Sequence, residues 1–162
     1  MSLQPLLSAD FTIQLHAFSA IAAFFLGGFV LWRKKGTALH KALGRIWVGL
    51  MLVVATSALF IHEIRLIGPF SPIHIFVVIT YVGIGNGLWA IIVKHDVATH
   101  RACMQAVYLG AVLLAGAFTF LPGRRMSAVL FGENAGWTPS LIFIGIALAL
   151  TGVVWMRLRR PA

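Results

Sequence analysis

Long apolar runs broken by short polar gaps dominate the chain. Five stand out, at roughly 11–32, 44–66, 72–93, 102–121 and 138–156. Each is close to the ~20 residues a helix needs to cross about 30 Å of hydrocarbon. A membrane barrel would instead show alternating segments of about ten residues. The gaps carry turn chemistry at Gly36, Gly68–Pro69, Pro72, Pro122–Gly123 and Pro139. This pattern predicts an all-α integral membrane fold, a single transmembrane domain over residues 1–162. Its core would be a four-helix bundle, with a fifth helix at the C-terminal end. Asp10 stands where an N-cap is wanted for the first span. No basic start or small-residue cleavage signature precedes that span, so it reads as a helix rather than a cleaved signal.

Composition agrees. The chain is 60% hydrophobic and 10% charged, where soluble domains are about a quarter charged. The formal charge of +9 does not point to nucleic acid, because the bases cluster in the gaps between apolar runs. One set of gaps holds ten bases, Arg33, Lys34, Lys35, Lys41, Arg45, Lys94, Arg101, Arg157, Arg159 and Arg160. The other set holds three, Arg65, Arg124 and Arg125. Positive charge gathers on the cytoplasmic side, so this asymmetry predicts an outer N-terminus and a cytoplasmic C-terminus. Cys103 is the only cysteine and allows no internal disulfide. No Gly-rich phosphate loop, H-E-x-x-H, G-x-S-x-G or C-x-x-C is present, which leaves a hydrolase or nucleotide enzyme without support.

Two of the polar gaps echo each other. "GTALHKALGR" (36–45) and "DVATHRACMQ" (96–105) each hold a histidine followed by a base and an alanine. The echo extends outward. His16 to His74 is 58 residues and His40 to His100 is 60; within each half the spacings are 24 and 26. Spans one and two thus form one hairpin and spans three and four another, in parallel orientation about an axis along the membrane normal. In such a bundle span one lies diagonal to span three, and span two to span four. His16 and His74 then share the outer level, and His40 and His100 the inner level.

Two imidazoles facing each other across an apolar slot are what haem b requires. Ionisable residues inside a membrane span are functional candidates by default, and His16 is the deepest. His74, His40 and His100 lie nearer the interfaces, where a solvated histidine is the plain alternative. His62 lies 22 residues after His40, close to six turns, and rivals His74 or His16 as an outer ligand. His95 reads as solvated. Met51 and Met104 read as pocket lining. Haem also brings two carboxylates. Arg45 and Arg101 are candidates to meet them inside, and Arg65, Arg124 or Arg125 outside, although membrane topology alone accounts for the inner bases. Asn86, in mid-span, is expected to bond across helices. Glu63 beside His62 is a candidate proton partner. Gly83-x-x-x-Gly87 reads as a packing motif rather than chemistry.

The run from "LHAFSAIAAFF" through "LHKALGR", then "SPIHIF", "THRACM" and "AGAFTFLPGRRM", resembles a bacterial family of predicted membrane proteins called domain of unknown function 2306. The resemblance covers about residues 12–127. It is carried by His40, Gly44 and Arg45; Pro72 and His74; His100, Arg101 and Met104; and Pro122, Gly123 and Arg124. It implies a bacterial inner membrane location and supplies no activity. His62, His95 and the fifth span lie outside it.

The residues therefore lead to a small di-haem b-type cytochrome for transmembrane electron transfer. Each haem would have two histidine ligands. A quinone or a redox protein is the candidate partner, alongside membrane lipid. That reading makes the protein a candidate membrane oxidoreductase, similar in arrangement to the b561 class of cytochromes. One rival is a non-haem copper or zinc protein built on His16, His62 and His74 at the outer face. Another is a cofactor-free transporter or structural subunit.

Overall fold

A computed structural model describes residues 2–62, 72–132 and 136–159. The described residues are helical, with no strand among them. Along the chain come α1 (Gln4–Leu7), α2 (Phe11–Trp32) and α3 (Ala38–Ala58). A 3₁₀ turn at Pro72–His74 leads into α4 (Ile75–Ile92), followed by α5 (Val97–Val107). A π-helical stretch, Tyr108–Leu114, joins α5 to α6 (Ala115–Phe118). Then follow α7 (Arg125–Phe131) and α8 (Trp137–Arg159).

Among the described residues, four helices are long and apolar enough to cross a membrane: Phe11–Trp32, Ala38–Ala58, Ile75–Ile92 and the continuous run Val97–Phe118. The helix α8 is apolar over Trp137–Ala149. The second and fourth spans begin earlier than hydropathy suggests, at 38 and 97 rather than 44 and 102. The reason is capping. Thr37 Oγ1 accepts from the His40 backbone N–H at 3.1 Å, and an Asp96 carboxylate oxygen accepts from that of Thr99 at 3.0 Å. Each cap satisfies an otherwise orphaned donor and so fixes the first turn. Asp10 does occupy the N-cap position of α2, but its side chain makes no capping hydrogen bond.

The chain divides into two compact units, residues 10–112 and residues 1–9 with 113–162. In the first, α2 packs mainly on α3 and α4 mainly on α5, while α3 also meets α4. The two hairpins read from sequence are thus the two tightest helix pairs. Lipid is as apolar as a leucine core, so close packing and hydrogen bonds must hold such helices together. Trp47 is 4% exposed, and its indole N–H donates to Ala23 O at 3.0 Å. Tyr108 O–H donates to Phe24 O at 3.0 Å and ties the fourth span to the first. Both rings press on Gly27, where an added Cβ would collide with each.

In the other unit, α1 lies against α7. The Ser2 backbone N–H donates to Val129 O at 3.3 Å, and Arg125 Nη1 donates to Pro5 O at 3.3 Å. Leu6 is 2% exposed. Phe143 of α8 receives Phe120 at 4.3 Å and Phe131 at 6.2 Å between ring centroids.

Candidate functional site

Three of the histidines singled out in the sequence make informative contacts inside the 10–112 unit. His16, on the second turn of α2, reaches α3. Its Nδ1 lies 3.0 Å from Val54 O and 3.1 Å from Ser57 Oγ. A carbonyl only accepts, so Nδ1 carries the proton and Nε2 of the neutral ring keeps its lone pair. His100 repeats the arrangement at the opposite end. Its Nδ1 lies 2.9 Å from Gly87 O on α4, which again fixes the proton on Nδ1 and leaves the Nε2 lone pair in place. A ring N–H tied to a carbonyl is the usual support of a metal-ligating histidine, because it sets both tautomer and ring angle. The ring of His40, on the first turn of α3, is within electrostatic reach of that of His100. The Nδ1 of His40 is buried and has no hydrogen-bond partner. Buried polar atoms are rarely left so.

The outer end is arranged differently from the sequence pairing. His74 closes the 3₁₀ turn before α4 and faces His62, with ring centroids 6.1 Å apart and planes 22° apart. The ring partner of His74 is therefore His62, while His16 is turned to α3. The sequence count places His62 at the outer end as a rival ligand but does not foresee its ring against that of His74, because the chain leaves the helix after Ala58. Helical phase counted from His40 therefore no longer locates His62.

The two levels are also closer than linear counting implies. His16 sits opposite Val54, fourteen residues along α3 from His40, which is about 21 Å of helix. His100 sits opposite Gly87, thirteen residues along the chain from His74. The 24-residue spacing between His16 and His40 includes a connector and overstates the depth.

Arg45 and Arg101 are both exposed. Arg101 lies near Lys35; burial first, and then that guanidinium, push the Lys35 amine below its ordinary value. The Lys35 ammonium donates to Leu31 O. Arg33, which sequence reasoning left among the topology bases, stacks 5.2 Å from the Phe29 ring centroid and has a buried, unpartnered Nε. At the inner end Lys35 is thus within electrostatic reach of both His40 and Arg101. Arg124 occupies the N-cap position of α7 in the other unit without a side-chain capping bond, and Arg125 donates to Pro5 O of α1. Arg65 and Glu63 lie outside the described residues. No group of three or more histidine, cysteine, aspartate or glutamate side chains converges among the described residues.

Other expectations resolve more simply. Gly83 and Gly87 are packing positions: a Cβ on the first would strike Val107, and on the second Met104 and Cys103. Met51 is 1% exposed, a core residue. Asn86 does not bond across helices; it is exposed on the outer face of α4. His95 is exposed and adopts φ 53°. That left-handed turn ends α4 and lets the Asp96 N–H reach Ala90 O at 2.8 Å. Thr56, which sequence reading passed over, shares a hydrogen bond of 2.7 Å with Tyr81, between α3 and α4.

No curated protein and no solved structure matches the chain. The family of predicted membrane proteins known as DUF2306 matches residues 13–157. That is a longer stretch than the motifs alone suggest, and it takes in most of the fifth helix. The chain belongs to the DUF2306 family of predicted membrane proteins.

Proposed function

We propose that this protein is a di-haem b-type cytochrome that carries electrons across the bacterial inner membrane, with its N-terminus outside and its C-terminus in the cytoplasm. One observation carries the reading. His16 and His100, in different hairpins and at opposite ends of the 10–112 unit, each hold an Nδ1–H on a facing backbone carbonyl. Each therefore keeps Nε2 as a ligand atom of fixed direction. The orphaned Nδ1 of His40 beside His100 supports an inner site, and His74 with His62 supplies the outer partner imidazoles.

Haem, when bound, supplies reversible one-electron chemistry. The chain's own share is to orient the imidazoles and exclude water. The inner cations, Arg33, Lys35 and Arg101, would neutralise carboxylates and raise the potential of the inner site. Separation of about 20 Å between the two levels fits a path across a hydrocarbon layer about 30 Å thick.

The test is a visible spectrum of the detergent-purified protein before and after dithionite, after expression with haem supplied. A Soret band with sharpened α bands on reduction is expected. His16→Ala and His100→Ala should each remove about half of the haem, at distinct potentials. A colourless protein rejects the reading, and loss of neither haem rejects the ligand assignment.

The His62–His74 juxtaposition favours a second reading, a copper or zinc ion held at the outer face. Elemental analysis of the purified protein decides it. Stoichiometric copper or zinc that His74→Ala abolishes would establish that reading in place of the first.

A further inference from the structure

The seam between α3 and α4 carries polar groups among exposed apolar side chains. Thr56 and Tyr81 are both exposed, and their hydroxyl oxygens lie 2.7 Å apart. The direction of that bond is fixed by a third atom. Thr56 O–H donates to Leu52 O, one turn back, at 2.7 Å. Its single proton is thereby used, so the Tyr81 phenol must donate to Thr56 Oγ1. The chain of donors runs from Tyr81 to Thr56 to Leu52 and leaves the phenol oxygen as an acceptor. A phenol oxygen directed so, at the surface of a membrane span, calls for a ligand that donates.

The surroundings suit a flat ring. Phe60 stands one turn beyond Thr56 and Val78 one turn before Tyr81, at 68% and 55% exposure. One turn after Tyr81, Gly85 has open space where a side chain would be. His74 precedes Tyr81 by seven residues, two turns on the same helical face and about 10 Å nearer the outer boundary. His74, with the His62 ring against it, thus stands at the outer end of α4, two turns before Tyr81.

We infer that the Thr56–Tyr81 hydroxyl pair is a lipid-facing headgroup site for a hydroquinone, entered laterally from the bilayer and selective for the reduced form. The choice of a redox-active ring rests on the electron-transfer reading above; the preference for a donor rests only on the hydroxyl chain. A hydroquinone O–H completes the chain by donating to Tyr81. A quinone presents only carbonyl acceptors, finds no proton there, and binds more weakly.

The experiment measures equilibrium binding of three probes to the protein in lipid nanodiscs, without oxygen: tetramethylhydroquinone, tetramethylbenzoquinone and the hydroquinone's dimethyl ether. Haem-loaded and haem-free preparations are both used. The hydroquinone should bind about fivefold tighter than its ether, the worth of one modest hydrogen bond. Tyr81→Phe should erase that preference. Thr56→Val should free the phenol proton and improve quinone binding about threefold, a reversal that a purely structural pair would not produce. Both substitutions are near-isosteric and exposed, so the fold is retained. Equal binding of hydroquinone and ether by the native protein, or an unchanged preference in Tyr81→Phe, overturns the inference. Preferential binding in a protein that never takes up haem upholds the site and removes the electron-transfer reading. Haem without preference removes the site alone.

Discussion

In the first hairpin, Gly27 admits the Trp47 ring, but α2 and α3 are joined as well by polar clasps, the Trp47 indole on Ala23 O and the His16 imidazole on Val54 O. In the second, α4 and α5 meet through missing side chains, with Val107 seated on Gly83 and Met104 on Gly87. The same carbonyl-to-imidazole link recurs there, from His100 to Gly87 O, but on a backbone that glycine has already brought near. The lesson is that a histidine can be oriented by two routes. One reaches across a gap with a long side chain; the other lowers the helices onto each other until even the first turn of α5 touches the facing backbone.

The sharpest break of that comparison is Gly87→Val. The new side chain would drive into Met104 and Cys103 and push α5 away from the carbonyl that holds His100. Overpacking of this kind costs about 3 kcal/mol. A marked fall in the thermal midpoint in detergent is expected, together with selective loss of the inner haem signal. The first hairpin should answer more mildly. Trp47→Phe removes the donor to Ala23 O, which keeps its helical bond, and leaves a small void, at a cost of about 2 kcal/mol. The same thermal measurement, run beside the glycine variant, ranks the two. If Trp47→Phe proves the more damaging, close packing is not what distinguishes the second hairpin.

Much of this was legible in the chain, for identifiable reasons. Four spans of about the right length follow from hydropathy, because a bilayer imposes its thickness on any helix that crosses it. The pairing of spans into hairpins followed from the polar connectors read at 33–43 and 94–101 and from the histidine echo they carry. Gly83 and Gly87 could be read as packing because small residues four apart make a flat face. What escaped was side-chain direction. His16 bonds across to α3, and no spacing rule foresees that, since the partner is a backbone carbonyl 38 residues away. His74 meets His62 because the chain leaves the α3 helix after Ala58, which breaks helical phase. The Thr56–Tyr81 pair was invisible because neither residue stands out alone; only the approach of α3 to α4 makes it a site. The early starts of α3 and α5 were hidden by polar first turns, which hydropathy reads as loop and capping chemistry reads as helix.

The two echoing connectors offer the smaller effects. Both begin a span with a side-chain cap, yet one cap is a hydroxyl and the other a carboxylate. Thr37→Ala should cost about 1 kcal/mol, and equally at every pH, since the threonine hydroxyl does not titrate. A pH-dependent loss in that variant would mean that His40, whose backbone it caps, and not the cap itself, is being read.

Asp96 should differ in kind. Its carboxylate accepts from the Thr99 hydroxyl at 2.5 Å and from the Thr99 backbone N–H at 3.0 Å. These bonds, the hydroxyl's first, hold it below its ordinary value of 3.8. A depressed acid stabilises the fold only while ionised. Its contribution is whole above that ordinary value and disappears as the pH falls below it, through the folded value. Thermal midpoints taken from neutral pH downward should therefore drop in the native protein over that acid range. Asp96→Asn keeps an acceptor for the cap but has nothing to protonate, so its curve should be flatter there. Coincident curves for the two proteins would show that the second connector is held by something other than its charged cap, and the contrast between the two connectors would vanish.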